Sequence, residues 1–205
     1  MQLGIRSGAE QTSGAHPFLC EGWARRNVKI ASRLVGARGF EPRTPCAQDK
    51  KAPTLKSILL EQLRTTHNQK DWFVPANIAV EGLTPEQASW QDGKGNHSIG
   101  QLANDLVFWN QEELAKFKGE PPVKFSGNND ETFNNFDSKK WNATVQQLDQ
   151  VLTDWEKAVE AADDKKLESW YSIIAHIGTH NAYHVGQIIY IRKQQGSWNP
   201  EKGVK

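Results

Sequence analysis

The sequence predicts an all-α protein built as a four-helix bundle. Apolar residues recur at helical spacing in four separate segments, no segment alternates apolar and polar residues as a strand would, and capping residues, prolines and glycines fall between the segments. Four amphipathic helices with no strand partner bury their apolar stripes most simply against one another.

The first helix is read from TLKSILLEQLRTTHNQKDWF, where Leu55, Ile58, Leu59 and Leu63, then Trp72 and Phe73, repeat at helical spacing. Pro75 ends or kinks it. Thr84-Pro85-Glu86-Gln87 has capping-box spacing with proline at the first helical position, which predicts a short helical turn over 85–90. After a turn at QDGKGN, the segment HSIGQLANDLVFWNQEELAKFKG gives a long helix from His97 or Ser98 to Gly119. Residues 120–137 carry two prolines and four asparagines without periodicity and read as a loop. Ser138 is the expected cap of a third long helix, with the stripe Trp141, Val145, Leu148, Leu152, Trp155 and Val159. DDKK then breaks the pattern. A fourth helix is expected from about Ser169 to Gln195, stopping at Gly196, with Ile173, Ile177, His180, His184, Ile188 and Ile191 on its buried face.

Composition narrows the function. The 205 residues are 37% hydrophobic and 24% charged, a globular balance. No apolar run approaches the roughly 18 residues of a membrane helix, so no membrane partner and a cytoplasmic location are expected. The net charge of +1 hides an asymmetry: residues 1–52 hold nine Lys/Arg against four Asp/Glu, and residues 53–205 hold sixteen against twenty. A mildly acidic main domain lacks the basic patch a nucleic-acid surface requires. Both cysteines, Cys20 and Cys46, lie in the first quarter, so any sulfur chemistry in residues 53–205 uses a sulfur from outside.

Residues 1–52 show no sustained period and read as a disordered N-terminal extension, separate from a domain over 53–205. A transit peptide fits poorly because Glu10, Glu21 and Glu41 interrupt it and no amphipathic stripe is present. A nucleic-acid arm fits poorly because its basic residues are scattered. The run GARGFEPRTP resembles the peptide obtained when a transfer-RNA gene is translated as coding sequence, which places the expected natural start near Pro53 to Lys56.

The chemistry concentrates in AHIGTHNAYHVGQI, residues 175–188, which spaces His176, His180 and His184 four apart. Steps of four drift only about 40° around a helix, so the rings share one face. His180 and His184 fall on the apolar stripe, where an imidazole is either a hydrogen-bonded core residue or half of a metal site. Asp105, in QLANDLVFW, lies between Leu102, Phe108 and Trp109 on the inward face of the second long helix. A carboxylate buried there needs a partner, either a divalent cation shared with the histidines or a direct hydrogen bond to a histidine or indole. Asn181 stands where a zincin would carry its glutamate base, so HxxxH here is not that motif. Gln187, one turn beyond His184, is positioned to bond a bound ligand or a ligating group. His67 borders a pocket or serves as a surface or capping residue, and His97 serves the start of the second long helix.

THNQKDWF, LTPEQASW, HSIGQLANDLVFWN and above all THNAYHVGQI resemble the DinB-like superfamily, the DinB and YfiT four-helix bundles, over about residues 54–198. The resemblance implies an up-down-down-up bundle and one divalent metal ion, nickel or zinc foremost, held by one residue of the second long helix and two histidines of the last. In this chain those positions are Asp105, where the family usually has histidine, and His180 with His184. His176 is not carried over as a ligand. The implied function is a metal-dependent S-transferase using a low-molecular-weight thiol and a small-molecule substrate. The alternatives are a metal-dependent hydrolase and a non-catalytic binding or stress-associated bundle whose site has decayed. Gln187 and His67 are the expected cofactor-contacting residues, and a homodimer is in keeping with apolar outer stripes.

Overall fold

The structure, a computed structural model, describes residues 52–122 and 124–204. The extension expected over 1–52 lies outside the described residues except for Ala52.

Helix α1 spans Leu55–His67 and begins at a capping box, in which Thr54 accepts the Ser57 backbone N–H and the Ser57 hydroxyl reaches back to the Thr54 backbone. It ends at His67, short of the expected Phe73. The Asn68 and Gln69 N–H groups both close on the Arg64 carbonyl, and Asn68 leaves the helical region with φ −141°. Trp72, expected to extend the stripe, is 89% exposed instead. The unforeseen α2, Ala76–Val80, follows Pro75 and buries Ala76, Ala79 and Val80. Its last carbonyls are met by Arg192, whose guanidinium donates to the carbonyls of Ile78, Ala79 and Glu81. A cation at a helix C-terminus also suits the helix dipole. Helix α3, Pro85–Ser89, starts at the Thr84 capping box that the sequence displays.

Helix α4, Ile99–Lys118, is capped by Ser98 with Gln101 and closed by Gly119 at φ 77°, a left-handed conformation that glycine adopts without steric cost. The segment read as a loop contains a further helix, α5, Asp130–Asn134, which buries Thr132 and Phe133. Helix α6, Trp141–Ala161, follows a 3-10 turn over Ser138–Lys140 whose cap is Asp137, not Ser138. Helix α7, Asp164–Gln194, begins about one turn earlier than expected because Asp163 accepts the Lys166 N–H at 2.8 Å. DDKK is therefore a helix start. The expected stripe holds at Ile177, His184, Ile188 and Ile191, but near the start of the helix Ile174 is fully buried and Ile173 is 37% exposed.

The four long helices are α1, α4, α6 and α7. Helix α1 packs on α6 and α7, and α4 packs on the same two, so α1 and α4 sit diagonally. Lys56 and Arg64 reach Glu160 while His67 reaches Asp149, so α1 and α6 are antiparallel. Gln62 bonds the Ala175 carbonyl and α2 meets Arg192, so α7 runs parallel to α1. Helix α4 runs against α7, as the site below shows. The directions are up, down, down, up.

Trp141 and Trp155 anchor the core, their indole N–H groups donating to the carbonyls of Leu83 and Asn110 at 2.9 and 3.1 Å. Asn181 is a core pin, not a catalytic group: its side-chain oxygen accepts from Asn110 Nδ2 at 2.8 Å across α4 and α7. Gly178 lets α1 approach α7, since a Cβ there would stand 2.8 Å from the Gln62 side chain. Each core Leu or Ile buried around these polar pins contributes about 1.5–3 kcal/mol.

Candidate metal centre

Helix α4 turns Asp105 inward at 1% exposure, and α7 turns the imidazoles of His180 and His184 toward it. The donor atoms of the three residues all lie within 4.8 Å of one another. Asp105 Oδ2 is 3.2 Å from His180 Nε2 and 3.2 Å from His184 Nε2.

These contacts are close without being ordinary hydrogen bonds. Oδ2 is buried and has no hydrogen-bond partner of acceptable geometry. His184 Nδ1 is 2.6 Å from Gln187 Oε1, an oxygen that can only accept, so Nδ1 carries the ring proton. In the neutral ring that leaves the Nε2 lone pair facing the carboxylate oxygen. Two lone pairs aimed at one point call for a cation between them. The two Asp105–imidazole spacings agree, since donors about 2.0–2.1 Å from a tetrahedral zinc lie about 3.3 Å apart, and the two imidazole donors lie within 4.8 Å of each other. The donor set and the orphaned oxygen therefore fit a divalent ion.

Other residues fix this arrangement. Thr132 on α5 donates its one hydroxyl hydrogen to Asp105 Oδ1 at 2.5 Å, with the Asn129 carbonyl 2.7 Å away as the competing acceptor, which leaves Oδ2 alone to face the imidazoles. Asn104 on α4 donates to the Thr132 carbonyl at 2.6 Å, which ties α5 down. Phe133 sets its ring edge-on to His184, and His97 stacks on Phe133 at 4.0 Å between centroids. Burial is the largest influence on the Asp105 carboxyl and opposes its ionisation. In the metal-free protein a proton on Nε2 of His180 or His184 takes the cation's place beside Oδ2, and that contact together with the Thr132 hydroxyl outweighs burial and holds the carboxyl well below the usual carboxylate range. The centre is closed on the His184 side, 8% exposed, and open on the His180 side, 29% exposed.

Asp105, His180, His184 and Gln187 thus come together as sequence spacing suggested. His176 stands one turn away and lines a cleft that His180 also borders. His67 is not brought to this centre. It is buried, with Glu156 at 2.6 Å from Nδ1 and Asp149 at 2.9 Å from Nε2, beside a separate cavity of about 220 Å³. Neither a surface role nor contact with this centre describes it. His97 serves as a wall behind Phe133, while Ser98 caps α4. Sequence reasoning missed Thr132 and Phe133, because a five-residue helix is too short to show a period.

An all-helical bundle with three convergent metal-capable donors near the middle of two antiparallel helices defines the class of protein. The chain belongs to the DinB superfamily, whose family model matches residues 76–188 and so takes in both donor helices up to the residue after Gln187. No curated protein and no solved structure gives a match. Among the described residues no helix is long and apolar enough to cross a membrane.

Proposed function

We propose that the protein is a metal-dependent S-transferase that joins a low-molecular-weight thiol to a small electrophile, with one divalent ion, nickel or zinc, held by Asp105, His180 and His184. The observation that carries the reading is the buried Oδ2 of Asp105, which lies 3.2 Å from two imidazole nitrogens and has no hydrogen-bond partner. One carboxylate and two neutral imidazoles leave a divalent ion with a net positive charge and open coordination positions. When bound, the ion supplies Lewis acidity, which favours the thiolate over the thiol.

The chain's own residues do the rest. Gln187 keeps the His184 proton on Nδ1, so that Nε2 stays a donor. Thr132 keeps Asp105 to one ligating oxygen. Phe133 excludes water from the His184 side, and the exposed edge of His180 leaves the entry. The thiol gives its proton to solvent, its sulfur lone pair forms the new S–C bond, and the bonding pair of the electrophile departs with the leaving group. With no cysteine in residues 53–205, the sulfur belongs to the co-substrate.

The test is conjugation of a chlorinated or epoxide electrophile with several cellular thiols, with and without added nickel or zinc. Metal-dependent thioether formation supports the reading. Water-dependent turnover without thiol points to a hydrolase, and no turnover with any metal points to a binding protein.

A further inference from the structure

Away from the metal centre, the C-terminal end of α1, the short α2 and the first half of α6 enclose a cavity of about 220 Å³, which none of Asp105, His180 and His184 lines. Ala76 and Val80 of α2 and Leu148 and Leu152 of α6 wall it, and all four are buried. An apolar cavity of about 150 Å³ accommodates the six carbons of benzene, so this one has room for an aliphatic chain of about that many carbons. It is too small for a drug-sized ligand.

The polar lining is arranged differently from the walls. Asn77, Gln146 and Asp149 are exposed residues, so the cavity runs from a polar mouth to an apolar floor. The exception is His67, a buried polar side chain whose Nδ1 lies 2.6 Å from Glu156 and whose Nε2 lies 2.9 Å from Asp149 Oδ1. Both ring nitrogens are occupied, and the ring acts as a peg that holds Asp149 at the mouth. Asp149 Oδ2 and the Gln146 amide have no hydrogen-bond partner among the described residues. Neither lysine nor arginine lines the cavity, so no cationic side chain there answers the free oxygen.

We propose that this cavity is a second binding site, independent of the metal centre, for a short aliphatic primary amine in its ammonium form. The chain lies against Val80, Leu148 and Leu152, and the ammonium sits at the mouth between Asp149 Oδ2 and the Gln146 side-chain oxygen. An ammonium has three N–H donors and no acceptor, which matches a mouth whose free groups can accept. A carboxylate ligand would instead have to displace Asp149 from His67 and then meet its charge at close range. The Asp149 side chain is 65% exposed, so the ammonium keeps part of its hydration and no buried ion pair has to form. Affinity therefore comes mainly from the chain, about fourfold for each methylene buried, and the carboxylate selects the charge of the head group.

The methyl resonances of Val80, Leu148 and Leu152 in the full chain report on this cavity directly. Hexylammonium chloride, 1-hexanol and sodium hexanoate, which share one chain length and differ in the head group, are titrated in turn. The expected result is a saturable shift of these methyls with hexylammonium, binding of 1-hexanol weaker by about fivefold, and hexanoate weaker still. Gln146→Lys, at an exposed position, places a cation at the mouth and should weaken hexylammonium about fivefold or more while leaving 1-hexanol unchanged. Asp149→Asn should erase the preference for hexylammonium over 1-hexanol. The proposal is overturned if hexylammonium leaves these methyls unmoved, if 1-hexanol or hexanoate binds the parent as tightly, or if either substitution leaves the preference for the ammonium intact.

Discussion

Thr132 on α5 holds Asp105 on α4 by a hydrogen bond of 2.5 Å from its Oγ1 to Oδ1. The bond spends one carboxylate oxygen and aims the other at His180 and His184. Thr132→Val, nearly isosteric, removes the hydroxyl and should weaken metal binding about 10–100-fold, while Thr132→Ser keeps the hydroxyl and should stay near the parent. Calorimetric titration of nickel or zinc into the metal-free proteins checks this. A valine variant that binds as tightly as the parent means that Asp105 needs no such support.

The depressed Asp105 carboxyl fixes a pH dependence for the metal-free protein. A group whose folded pKa lies below its ordinary value, here 3.8, contributes stability that is present above that value and is lost as pH falls through the folded one. Acid unfolding of the metal-free parent should therefore steepen below about pH 4, and Asp105→Asn should flatten that part of the curve. Identical acid profiles would remove the stabilising role of the ionised carboxyl.

Asn181 separates structure from chemistry. Asn181→Ala breaks the buried bond to Asn110 and should cost about 1–3 kcal/mol in denaturant unfolding, with metal content unchanged at native pH. Metal loss in a folded Asn181→Ala protein would make it part of the centre.

His67 offers the complementary control. His67→Gln removes the imidazole that lies between Glu156 and Asp149 and should lower the melting temperature without changing metal content. A change in metal stoichiometry would connect this separate cavity to the centre.

Much of this was legible in the chain because helices advertise themselves through period and punctuation. The α4 boundaries fall at Ser98 and Gly119 as read, and the α6 stripe of Leu148, Leu152, Trp155 and Val159 is buried as its spacing says. Asp105, His180 and His184 were readable for the same reason, each lying on an inward face. What failed was local competition. Trp72 and Phe73 fit the α1 period, yet Asn68 and the pinned His67 end the helix first. Asp163 outweighed the apparent break at DDKK, and Ile174 stands in the core where Ile173 was expected. Thr132 carried no signal because its role depends on how a loop folds back, which no period encodes.

The central claim is that Asp105, His180 and His184 hold one metal ion together, and elemental analysis of purified protein tests it most directly. Parent protein, Asp105→Ala and His180→Ala are dialysed against the same nickel or zinc buffer, their folding confirmed by circular dichroism, and their metal content measured per chain. The account predicts about one ion per chain in the parent and little in either variant. Unchanged metal in Asp105→Ala, or none in a folded parent, would contradict it.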